Sequence, residues 1–162
     1  MIKFLLIFLF YKTALGEVKV NSIIKLNNNI PEECGLNFLS KNDNQFTNAS
    51  VSIKKIENNK TITKFKVLGS NEIQNADLVT SSSKISEIIK NKIVTNKGLE
   101  YSGKTNEDSV TFFFQELLIS GGSLNINNDS FEIKGPIDSK VRLEYLFCTG
   151  EMFLPNYESN NE

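Results

Sequence analysis

The strongest constraint on this chain is a pair of cysteines, Cys34 and Cys148, near its two ends with most of the sequence between them. They are the only two cysteines present. A bridge between them ties the first ordered segment to the last and closes the chain into one unit. In the chain-entropy picture, closing a loop of that size contributes about 4–5 kcal/mol, a large share of an ordinary domain's stability. Such a bridge needs an oxidising compartment. A redox-active pair is disfavoured, because no Cys-x-x-Cys spacing lowers a thiol pKa.

The N-terminus points to that compartment. Met1-Ile2-Lys3 gives a positive start, Phe4 to Phe10 is an unbroken apolar run, and Ala14-Leu15-Gly16 supplies small residues for cleavage. That order is the layout of a secretory signal peptide, and the apolar run is too short to span a bilayer. The expected organisation is a signal peptide over 1–16, one exported domain over 17–155, and a frayed polar tail over 156–162. The destination is the periplasm or the extracellular space. Of 18 basic residues, Lys3 and Lys12 fall in the leader, so 16 basic against 19 acidic residues leave a net charge of −3. A mildly acidic domain is poorly suited to nucleic acid or an anionic membrane surface. N-x-S/T triplets occur at Asn48, Asn59 and Asn128. Asn, Ser and Thr are so abundant that chance alone supplies about three.

The chain contains no histidine. That removes the Ser-His-Asp and Cys-His nucleophilic centres, the usual catalytic zinc sites and histidine-ligated haem. Two cysteines alone hold neither a structural zinc nor an iron–sulfur cluster. Carboxylate, lysine or tyrosine chemistry survives, as does binding without chemistry. No cofactor or metal is expected.

Along the chain, Glu17 to Leu26 alternates as a first strand, and Asn27-Asn28-Asn29 with Ile30-Pro31 reads as a loop. Lys41 to Asn48 is polar and turn-like. Apolar runs on either side of Glu57-Asn58-Asn59-Lys60 predict a hairpin, as do those around Asn127-Asn128-Asp129. Ala76 to Thr80 is a further strand. Ser81-Ser82-Ser83 offers caps for a short helix over about 84–92. The clearest helix covers about 105–120. Val110, Phe113, Phe114, Leu117 and Leu118 mark one face, Thr105 and Asp108 have capping-box spacing, and Gly121-Gly122 supplies the stop. From Val141 the pattern is double. Val141, Leu143, Tyr145 and Phe147 alternate, which favours a strand, while Val141, Tyr145 and Cys148 fit one helical face. The predicted fold class is α+β, with antiparallel hairpins packed on one clear amphipathic helix.

One stretch matches a functional pattern. Gly98, Gly103, Lys104 and Thr105 fall at every fixed position of the phosphate-binding P-loop. Its surroundings argue against that role. Glu100 would bring negative charge towards phosphate, Tyr101 is bulky where the loop must wrap closely, and an exported protein meets little nucleotide. The competing reading is a turn at Ser102-Gly103, between a strand carrying Leu99 and Tyr101 and the capped helix. Asn125, Asn127, Asn128 and Asp129 match no EF-hand spacing and read as a hairpin turn. Together these features favour a non-catalytic, disulfide-closed module that binds a protein or envelope component, with no catalytic residue assigned. A carboxylate-dependent hydrolase and a nucleotide-binding protein are the alternatives.

Overall fold

The structure is a computed structural model that describes residues 18–42, 45–56, 60–95 and 98–153. The signal-peptide segment, the sequon at Asn59 and the polar tail lie outside the described residues. Among the described residues, nine strands and three helices follow one another as β1 (Val18–Asn27), β2 (Ile30–Asn42), β3 (Gln45–Ile56), β4 (Lys60–Gly69), β5 (Ala76–Val79), α1 (Ile85–Ile88), β6 (Lys92–Thr95), β7 (Gly98–Asn106), α2 (Glu107–Ser120), β8 (Gly121–Ile126), β9 (Asp129–Lys134) and α3 (Ser139–Phe153). Six strands form an antiparallel sheet in the order β1-β2-β3-β4-β7-β6, and three form a small one in the order β5-β8-β9. The α+β class with antiparallel sheets is as predicted.

Alternation decides which side of the large sheet is covered. Cys34, Leu36 and Phe38 of β2 pair with Ile53, Val51 and Ala49 of β3. The row continues through Phe65 and Val67 of β4 to Tyr101 and Leu99 of β7. All of these are buried, and they share one core with Phe113, Phe114, Leu117 and Leu118 of α2, with α3, and with Leu78, Leu124, Phe131 and Ile133 of the small sheet. The Phe114 ring stacks on Tyr145 with centroids 4.7 Å apart, joining α2 to α3. Burial of this kind raises the Tyr145 phenol well above its ordinary pKa.

Several sequence expectations are corrected. Residues 141–148 form a helix, not a strand. Asp138 caps it by accepting the Lys140 and Val141 backbone N–H groups at 2.9 and 3.4 Å. Val141, Tyr145, Cys148 and Met152 turn to the core, so the face of period 3.6 wins over the alternation. The polar stretch 41–48 is largely strand: β2 runs to Asn42 and β3 starts at Gln45, because the pairing of Ser40 with Thr47 extends the hairpin to its tip. The loop at 27–30 is a tight reversal, with Asn28 and Asn29 at positive φ, as a two-residue hairpin turn requires. The helix expected over 84–92 is only the single turn Ile85–Ile88. Ser81 and Ser82 do not cap it, because their hydroxyls go to Glu116 of α2 at 2.8 and 2.7 Å. The α2 cap is Asn106, whose side chain accepts from the Asp108 N–H, and not Thr105, which is buried elsewhere.

Candidate functional site

Every position of the P-loop pattern falls in β7, which pairs with β4 along its length and with β6 over its first four residues. Gly98 to Lys104 oppose Leu68 to Ile62 of β4, and Gly98 to Tyr101 also oppose β6. The backbone N–H groups that would cradle phosphate serve strand ladders instead. Gly98 is needed for close approach between strands: a Cβ there would lie 2.0 Å from the Val67 carbonyl oxygen. Ser102-Gly103 is likewise no turn, since the strand runs through it. Lys104 is exposed. Thr105 is buried, and its hydroxyl lies 2.7 and 2.6 Å from those of Thr61 and Thr63. That closed knot satisfies three buried hydroxyls among themselves and leaves Thr105 unavailable to a cation.

The two cysteines are brought together. Cys34 and Cys148 form a disulfide with Cα atoms 5.8 Å apart. The bridge fastens α3 to β2, where Glu144 also accepts from the Ser22 hydroxyl of β1.

A groove of about 630 Å³ lies on the uncovered face of the large sheet. Register builds it. Side chains directly opposite one another point to the same side, so Asn21, Asn37, Ser50, Lys66 and Glu100 line up across β1, β2, β3, β4 and β7. At ordinary strand spacing this row is about 19 Å long. The next row carries Ile23, Gly35, Ser52 and Lys64. Gly35 leaves the floor hollow, and nothing larger fits: a Cβ there would lie 2.2 Å from the Val51 carbonyl oxygen.

The groove's charges are mostly paired. Lys25 donates to Glu33 at 2.5 Å, and Ser52 donates to its other oxygen at 2.5 Å. Partial burial pushes the Glu33 carboxyl up, but these two bonds outweigh it and hold the group below the usual carboxylate range. Lys64 faces Glu100 at 3.6 Å. Lys66 makes no ion pair among the described residues, so the groove's three lysines, Lys25, Lys64 and Lys66, outnumber its two acids, Glu33 and Glu100, by one. The side chains of Asn21, Asn37, Asn48 and Ser50 are half-buried and make no hydrogen bond to the described residues. The wall is thus a run of open amide and hydroxyl groups beside one ammonium. The sequon residue Asn48 sits within it, whereas Asn128 lies exposed at the β8–β9 turn.

Three carboxylates outside the groove are also engaged. Glu116 accepts from Thr80, Ser81 and Ser82, and the Thr80 bond leads the three that lower its pKa to about 2. Asp77 accepts from the Ser86 hydroxyl at 2.8 Å, and Glu32 pairs with Lys54. Asn127, in the predicted turn, accepts from the Gln74 and Asn75 N–H groups and holds the 72–75 segment in place. Among the described residues no three acidic or cysteine side chains gather as a metal site, and no helix is long and apolar enough to cross a membrane. Sequence reasoning missed the groove. Its one available signal was the polar member of each alternating pair in β1 to β4.

Comparison with protein-family models, with curated proteins and with solved structures finds no match to this chain.

Proposed function

We propose that the chain is an exported, disulfide-closed module that binds a protein or cell-envelope component in the periplasm or extracellular space, without catalysis. The groove over β1 to β7 carries this reading. It is a row of half-buried amide and hydroxyl groups, open to solvent and backed by a sheet that cannot easily deform. Such a surface recognises a polar partner by hydrogen bonds, because each open group gains a partner while little ordering is needed. The groove's two carboxylates, Glu33 and Glu100, each face a lysine, which fits this reading better than the alternative of a hydrolase, which needs two facing acids.

The test is a photo-crosslinking amino acid placed at Asn37 or Ser50, with a control at Glu132 of the small sheet, in cells that make and export the protein. The reading predicts one discrete adduct from both groove positions, lost when the charge opposite Ser50 is reversed by Lys66→Glu, and none from the control. Equal, diffuse labelling from all three positions contradicts it.

A second reading has its own observation. β6 is one of the two outer strands of the large sheet, and its Ile93 and Val94 are 56% and 61% exposed. An extended segment of a partner protein would add there as a further strand.

A further inference from the structure

Helix α3 is apolar on both sides. Val141, Tyr145, Cys148 and Met152 are buried, yet Leu143, Leu146 and Phe147 on the opposite side are 54%, 53% and 69% exposed. Gly150 continues their row at the i, i+3, i+4, i+7 spacing of a helix-packing seam, and a Cβ placed on it meets nothing within 4 Å. Single exposed apolar residues are ordinary, but an uninterrupted stripe is not. The helix is also held in place, by the disulfide to β2 and by Glu144 on Ser22.

We propose that this stripe is the interface of a homodimer, in which α3 packs antiparallel on α3 of a second copy about a two-fold axis. A two-fold interface sets residue i against j and j against i. With the axis between Leu146 and Phe147, Leu143 of each copy lies over Gly150 of the other, and Phe147 lies against Leu146. A large side chain therefore meets the open space at each end, and two large ones meet in the middle.

The charges select the same arrangement. Lys140, Glu144 and Glu151 run along one flank of the stripe, and Arg142 and Thr149 along the other. Antiparallel two-fold pairing brings like flanks together, so Lys140 of each copy comes alongside Glu151 of the other. Glu151 has no ion pair within its own chain among the described residues, whereas Lys140 has only an exposed contact with Glu144 at 3.8 Å. A parallel pair would set Lys140 beside Arg142 of the second copy. The chain's own charge pattern thus favours a second copy of itself over a partner of arbitrary sequence.

Sedimentation of the full protein, with its bridge intact, across micromolar concentrations tests this. The expected result is a concentration-dependent species of twice the chain mass. Phe147→Ser and Gly150→Leu each weaken the dimer at least about tenfold, one by removing the central contact and the other by filling the space Leu143 needs. Lys140→Glu weakens it, and adding Glu151→Lys restores it. That restoration separates a paired interface from a general loss of fold, which unchanged thermal midpoints of the same variants check independently. A single species at chain mass over the whole range overturns the proposal. So does a charge swap without rescue, or a monomer that instead binds phosphatidylcholine–phosphatidylglycerol vesicles through Phe147.

Discussion

α2 and α3 are of similar length and pack against the same core, yet they treat their outer faces differently. On α2 the exposed apolar residues Phe112 and Ile119 stand seven residues apart, which is about 10 Å along the axis, with Gln115 and Glu116 between them. Glu116 fastens that face to Thr80, Ser81 and Ser82. On α3 the apolar residues are contiguous, and the anchoring is covalent, on the inner side. A helix pinned by polar side chains on its flank has its surface accounted for within one chain. A helix pinned by a buried disulfide keeps its outer face free for another molecule.

The largest expected effect strikes what the two helices share. Phe114 is 1% exposed and stacks on Tyr145. Phe114→Ala should cost about 3–5 kcal/mol by opening a cavity in the core, read as a lower denaturant midpoint. The same substitution at Phe112, half-exposed on α2, should move the midpoint little.

The next effect separates the helices. Cys34→Ser with Cys148→Ser should cost about 2–5 kcal/mol. Amide exchange should rise along α3 well before it rises along α2, whose caps and Glu116 contacts are untouched. Equal loosening of both would mean that the bridge does not hold α3 in particular.

The smallest effect belongs to α2. Glu116→Gln removes the charge that the three hydroxyls solvate. The folded carboxyl has a pKa of about 2, below its ordinary value of 4.5. Its stabilisation is therefore present above pH 4.5 and is lost as pH falls from there towards 2. The unsubstituted protein should lose thermal midpoint over that window, and the Gln variant should lose less of it. An identical slope in both would remove Glu116 from the account.

The difference between the helices also shows in how far each could be read in advance. α2 was legible because its apolar face keeps one period and Gly121 stops it, although its cap is Asn106 and not the Thr105 of the capping-box spacing. α3 was not, because Val141, Leu143, Tyr145 and Phe147 alternate with Arg142 and Glu144 as a strand would. Only the outward stripe creates that ambiguity, so a residue pattern suited to an intermolecular contact is also what hid the helix. The Ser102-Gly103 turn failed for a different reason: Gly103 sits opposite Thr63 in a ladder whose neighbours come from distant sequence. The disulfide could be inferred from cysteine count and expected compartment. The groove could not, since its central row takes one residue from each of five strands and exists only once four registers are set.

The proposed function requires export, and α3 is fastened to β2 by one covalent bond. The most direct test is the intact mass and non-reduced peptide map of protein recovered from a host with an export pathway. The predicted result is a chain beginning at Glu17, no alkylation before reduction, and a single linked peptide joining Cys34 to Cys148. An uncleaved chain with two freely alkylated thiols would contradict it.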